Sequence, residues 1–514
     1  MGRLAFRKWN RVFILLSCAP SLAVVLSGNR LHAGPAGGTS PTAITGELTV
    51  SSNPHYFKDA KGTPLILNGS QSWNTFQDWG TGGSVQPLDF DAFIKFLSAH
   101  RHNFTLLWTV EMPKFCGLPY ALNPASFTVT PLPWKRTGPG KATDGGLKFD
   151  LTKFEASFFE RLRSRVQALN SAGIYAGVYL FSGEFLNIFR CSDDGYPLTG
   201  ANNINGVGDG YASGKQGINA VTMMAPNLIT KFQDAYVEKV IDTLNDLPNV
   251  LWIVSEEAPP NSVWWNYHQI SHIRAYESGK PQHHPIGIAA LISSWDSVLY
   301  NSEADWVAPS VIVSPASSCG AGKPACKVNV NDSDHSYYWI WSQTPQQHRN
   351  YAWENFATGN QVLFMDPYAV YWPQWRRNMC VDPTRDICRA PDPRWDSLRD
   401  NLGYILRYSR KLNLASVAPR DRLSSTGFCL AQTPSTGAEY LVYAPAGGSF
   451  TVDLSAMSNA RTLNVEWFNP STGTAVTGKP VSAGSPSQAF TPPFSGDAVL
   501  YLVDTAGHST VENR

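Results

Sequence analysis

The 514-residue chain has almost no charge imbalance. Lys and Arg number 41 against 40 Asp and Glu, a formal net charge of +1, and the isoelectric point lies near 7.6. That balance supplies no long-range attraction for nucleic acid or for an acidic membrane surface. Beyond the first 33 residues no stretch is long and apolar enough to cross a bilayer, so no membrane span is expected. Zinc spacing is also missing: no CxxC pair occurs with a second Cys or His pair beside it, so neither a metal nor another cofactor is expected. Finally, Asn68-Gly69-Ser70-Gln71-Ser72, after the first buried run, lacks the Gly-rich fingerprint of a doubly wound nucleotide-binding sheet.

Aromatic side chains, by contrast, are plentiful: 17 Trp, 20 Tyr and 25 Phe. Several Trp fall in loop-like contexts (Trp73, Trp79, Trp134, Trp264, Trp265, Trp372 and Trp375). Flat apolar faces with polar edges suit sugar rings, although core packing accounts for most Trp in most proteins. Residues 1–33 read as an export signal, with Arg3, Arg7, Lys8 and Arg11, an apolar run Val12 to Leu26, and Leu31-His32-Ala33 as the cleavage site. A secreted protein, extracellular or periplasmic, is expected; Leu15-Leu16-Ser17-Cys18 leaves a lipid anchor as the alternative. In such a compartment Cys319 with Cys326, and Cys380 with Cys388, are spaced to close short disulfides, and Cys116 with Cys191 form a possible third pair.

The order of patterns gives the architecture. Residues 34–52 are a Gly/Pro/Thr-rich linker; 53–414 alternate buried runs with amphipathic helical stretches; 415–506 carry short alternating runs parted by turns; 507–514 are a tail. The buried runs are Pro64–Asn68, Asn103–Thr109, Ile174–Phe181, Val250–Val254, Pro285–Ala290, Trp306–Ser310, Lys327–Asn331 and Gln361–Asp366. Helices are expected between them, among others at Asp89–Ala99, Leu151–Ala172, Leu228–Leu247 and Trp264–Ser278. Eight such strands predict a (β/α)8 TIM barrel, an α/β fold, followed by a small all-β sandwich.

In a TIM barrel the chemistry sits at the C-terminal ends of the strands. Strand four ends in NVLWIVSEEA, a buried run breaking abruptly into Glu256 and Glu257. Strand seven is followed by Asp332, Asp334 and His335, with Tyr338 and Trp339 beyond. Strands one, two and eight are followed by Trp73 and Asn74, by Trp108 and Glu111, and by Asp366 and Tyr368. Strands four and seven lie nearly opposite in a ring of eight. Carboxylates facing each other across a sugar are the equipment of glycoside hydrolysis: one protonates the leaving oxygen while the other attacks C1 or activates water.

The stretches YFKDAKGTPLILNGSQSWN at strand one, FDLTKFEASFFERLRSRVQALNSAGIYAGVYLF into strand three, NVLWIVSEEA, NDSDH and NQVLFMDPY carry a resemblance. They resemble the clan A glycoside hydrolases, and more closely the apiosidase-like glycosidases whose barrel precedes a domain labelled collagen-binding. The resemblance implies a retaining enzyme in which Glu257 is the acid/base and Asp332 or Asp334 the nucleophile. A carbohydrate partner is expected, and the groups at the strand ends that are candidates to contact it are Trp73, Asn74, Trp108, Glu111, Glu256, His335, Tyr338, Trp339, Asp366 and Tyr368. This sequence departs from the family at Glu256, where an Asn is usual, and at strand seven, where a Glu is usual.

Other readings stand beside this one. Asp366 before Pro367 suits a turn former, and His100-x-His102 suggests a metal-dependent hydrolase, but those histidines precede strand two and fall on the opposite face. A non-catalytic glycan- or matrix-binding barrel is the alternative from a different class. A monomer is expected.

Overall fold

The computed structural model describes residues 43–81, 85, 87–116, 126–187, 190–208, 228–291, 297–309, 326–333, 344–366, 368, 393–434, 437–457 and 461–504. Eight parallel strands close into a barrel: β1 (Gly69–Gln71), β2 (Phe104–Leu107), β3 (Tyr175–Phe181), β4 (Val250–Ser255), β5 (Ile286–Ala289), β6 (Trp306–Ala308), β7 (Val328–Asp332) and β8 (Gln361–Met365). Every residue of β3 and β4 is buried. That is why YAGVYLF and VLWIVS read as unbroken apolar runs: a parallel strand is covered by side chains inside the barrel and by helices outside. Closure between β1 and β2 requires Gly69, where a Cβ would lie 1.9 Å from the Phe104 carbonyl oxygen.

The helices follow sequence signals at their ends. Asp89 caps Phe90–Ala99 by accepting from the Ala92 amide at 2.9 Å. Thr344 and Gln347 form a capping box at the start of Pro345–Ala357, with Pro345 in the first turn. No helix among the described residues is long and apolar enough to cross a membrane.

Two expectations are corrected. Pro64–Leu65 pairs with Phe57–Lys58 in the hairpin that the Ala60-Lys61-Gly62 turn implies, but that hairpin lies outside the barrel, and barrel strand β1 begins only at Gly69. The chain between them is held by side chains: the Leu67 and Asn68 amides donate to Gln361 Oε1 at 2.6 Å and to Asn103 Oδ1 at 2.9 Å. Gln71 is therefore the last residue of the first strand. The helix expected from Leu151 begins at Ala156, because Leu147–Phe154 pairs with Trp134–Lys141 in a hairpin. Phe149 and Leu151 are buried there, and the Leu151 amide is taken by Asn205 Oδ1 at 2.8 Å.

The C-terminal domain is an antiparallel sheet of Ala418–Pro419, Cys429–Gln432, Glu439–Ala444, Ala498–Val503, Thr462–Asn469 and Thr474–Thr477, with Phe450–Val452 paired to Gln488–Phe490. Leu441, Tyr443, Phe468, Val499 and Tyr501 share one apolar cluster with Trp353, Phe356, Leu398 and Leu402 from the last two barrel helices. Arg349 clasps Asp497 with contacts of 2.6 to 3.1 Å, and Lys411 reaches Glu466 at 2.6 Å.

Candidate active site

Strand β4 ends at Ser255, so Glu256 and Glu257 emerge at its C-terminal end, and β7 ends on Asp332 itself. The two strands are three places apart in the ring of eight. Glu256 is fully buried and accepts a hydrogen bond from the Tyr179 hydroxyl of β3. Tyr179 stacks on Trp108, with ring centres 4.4 Å apart and planes at 28°. Trp108 Nε1 donates to Gln71 Oε1 at 2.7 Å, and Gln71 Nε2 donates to Asp332 Oδ1 at 3.5 Å. A line of contacts thus crosses the mouth from the strand-four carboxylate to the strand-seven carboxylate.

Glu257 differs from its neighbour. It is partly exposed, and its φ of 39° lies in the left-handed region that a residue with a Cβ avoids. Such a backbone persists only where the surroundings over-determine it. Here the Glu184 amide donates to the Glu256 carbonyl at 2.8 Å, and Ser255 Oγ donates to Asn266 Oδ1 at 3.1 Å. Glu111, after β2, is wholly buried; its Oε2 accepts from the Ser182 amide at 3.0 Å and from the Ser182 hydroxyl. Burial pushes its carboxyl up to about 7, against the pull of the Ser182 bonds.

The other sequence-derived candidates divide. Trp73, Asn74 and Trp108 lie buried at the ends of the first two strands, with Asn74 Oδ1 accepting from Ser72 Oγ at 3.4 Å. Asp366 is committed elsewhere: Arg399 holds both of its oxygens, at 2.5 and 2.7 Å, and Ser70 Oγ donates at 2.9 Å, with both charged side chains fully buried. Tyr368 packs between Phe93 and Phe96, with ring centres 5.1 and 4.7 Å away. These two belong to the wall behind the last barrel strand. Asp334, His335, Tyr338, Trp339, Cys319, Cys380 and Cys388 lie outside the described residues.

Cys116 and Cys191 are joined, tying the segment after β2 to that after β3; Cys326 is also disulfide-bonded, and Cys429 is a buried thiol. Among the described residues the one grouping of metal-ligand types is Cys116, Cys191 and Asp193, and its sulfurs are already spent on that disulfide. His102 Nε2 lies 3.0 Å from the Arg399 carbonyl and His100 Nδ1 2.8 Å from Asp400, so these rings are structural partners below the barrel. Of the loop tryptophans, Trp73, Trp79, Trp134 and Trp265 are core residues; among the described tryptophans only Trp264 is exposed, at 56%. Tyr179 and the Ser182-Gly183 turn were missed as site residues because nothing in a buried run marks which side chain points to the axis.

The closed parallel barrel is a fold shared with solved glycoside hydrolases. A glycoside hydrolase family 5 protein from Bacteroides vulgatus ATCC 8482 superposes with a TM-score of 0.57 at 14% identity, over 90% of this chain and 93% of that one. A second protein, described as a glycoside hydrolase, gives 0.55 at 13% identity, over 90% and 98%. Residues 428–502 match a family model described as "Putative collagen-binding domain of a collagenase", and residues 127–311 match a domain of unknown function, DUF6298. No curated protein sequence matches the chain.

Proposed function

We propose that this protein is a secreted, retaining glycoside hydrolase of the apiosidase-like kind. The observation that carries the proposal is the pair of acidic ends on β4 and β7, linked across one mouth by Tyr179, Trp108 and Gln71. Glu257, partly exposed beside a buried carboxylate, is the proton donor. Asp332 is the nucleophile, with Asp334 the alternative two residues on.

In the first step the Glu257 proton passes to the glycosidic oxygen as an Asp332 oxygen bonds C1, and the leaving alcohol departs. In the second, Glu257 takes a proton from water, whose oxygen displaces Asp332 from C1. Glu256 lies deeper, fully buried and held by the Tyr179 hydroxyl. The Cys116–Cys191 bond supports export to an oxidising compartment by the 1–33 signal.

The test is hydrolysis of plant and microbial polysaccharides, with NMR of the first anomer released. Wild-type protein releases sugar with retained configuration, and Glu257→Gln loses roughly 100-fold or more on unactivated substrates. Unchanged hydrolysis by Glu257→Gln removes the two-carboxylate mechanism. No hydrolysis of any substrate, with retained glycan binding, points to the non-catalytic alternative.

A further inference from the structure

The strained residue at the centre of the site is held from behind. Three consecutive residues after β3 do this. Ser182 is gripped through its amide and hydroxyl by Glu111. Gly183 is pressed against strand four's exit: a Cβ there would lie 2.2 Å from the Glu256 carbonyl oxygen and 2.7 Å from Ala258 Cα. Glu184 donates its amide to that same Glu256 carbonyl at 2.8 Å. Glu257 sits between Glu256 and Ala258, so both of its chain neighbours touch this turn.

We infer that Glu111 is a positioning residue for the proton donor: by anchoring Ser182 it fixes the 182–184 turn that keeps Glu257 in its left-handed conformation. The inference rests on the glycosidase reading and on Glu257 as acid. It replaces the sequence expectation that Glu111 touches sugar, since a wholly buried carboxylate bound to Ser182 lies behind the mouth. Its other oxygen, Oε1, has no hydrogen-bond partner among the described residues.

A displaced proton donor has a specific kinetic signature. Leaving groups that depart as stable anions need no protonation, whereas alkoxides do. The probes are paired 2,4-dinitrophenyl and methyl glycosides, both anomers, of glucose, galactose, mannose, xylose and arabinose.

On the active pair, Glu111→Leu lowers kcat/KM, which reports the first step alone, by about 100-fold for the methyl glycoside, the scale of a misplaced catalytic group, and by less than about threefold for the dinitrophenyl glycoside. Glu111→Gln, which keeps a carbonyl acceptor for Ser182, recovers most of the methyl glycoside rate. Ser182→Ala, which removes only the hydroxyl arm, gives the same selectivity at roughly tenfold and carries the test if Glu111→Leu does not fold.

Equal slowing of both leaving groups, or no slowing, overturns the inference while leaving the glycosidase reading intact. Failure of the wild-type protein on every pair and on every plant and microbial polysaccharide overturns that reading, and the inference with it.

Discussion

Glu256 and Glu257 are adjacent in sequence and opposite in circumstance: one buried under a tyrosine hydroxyl, the other partly exposed on a strained backbone. The buried run alone marked only that two acids follow a strand; it was the family resemblance that separated Glu257 as acid/base from Glu256, and neither pointed to their different burial. The same limit applied to Asp366, whose partner Arg399 arrives from a helix 33 residues further on. At this scale the account predicts that Asp366→Ala lowers unfolding free energy by about 3 to 5 kcal/mol, because it strands a buried guanidinium. Chemical denaturation checks this; a variant that changes only KM would return Asp366 to the substrate site.

Glu111 gives a second prediction at this scale. Burial holds its carboxyl near 7 against an ordinary 4.5, so the folded state retains a proton that the unfolded chain gives up. Its stabilising effect is complete below pH 4.5 and is lost as pH rises through 7, on the order of 3 kcal/mol. The buried phenols of Tyr196 and Tyr236 are the titratable groups coupled to it, with Arg190 and Asp194 beside Tyr196. Glu111→Gln removes this slope from unfolding free energy measured between pH 4.5 and 8; an identical slope in both proteins contradicts the assignment.

At the scale of elements, strands two to eight were legible because burial on both faces writes itself as a continuous apolar run. The first strand was not: Pro64–Leu65 looks as buried as Gly69–Gln71, and only tertiary pairing decides which enters the barrel. The hairpin Trp134–Lys141 with Leu147–Phe154 was also missed, since its Gly- and Lys-rich first strand carries little hydrophobic alternation. The Cys116–Cys191 bond spans 75 residues and joins the segments that carry Glu111 and the Ser182 turn. Replacing both cysteines by serine lowers stability by about 4 kcal/mol on the chain-entropy account. A loss well under 1 kcal/mol in calorimetry would mean that the loops are fixed by packing alone.

Across the whole molecule, the sandwich and barrel share a core. Tyr443, Phe468 and Tyr501 face Trp353 and Tyr408, and the Arg349–Asp497 and Lys411–Glu466 pairs flank them. Tyr408 belongs to the helix that also carries Arg399, so the sandwich braces the wall behind β8. The sheet face turned to the barrel is therefore not a surface for a separate partner. Calorimetry should give one cooperative unfolding transition, with Arg349→Ala lowering its midpoint; two separate transitions would contradict a shared core.

The central claim is a covalent mechanism with its nucleophile at the end of strand seven. The most direct measurement is peptide mass spectrometry after incubation with 2,4-dinitrophenyl 2-deoxy-2-fluoro-glycosides, which trap a glycosyl-enzyme intermediate. The account predicts a glycosyl adduct on Asp332, lost in Asp332→Asn and still formed in Glu257→Gln. An adduct on Glu256 or Glu257, or turnover of the parent glycosides with no adduct and inverted configuration, would contradict it.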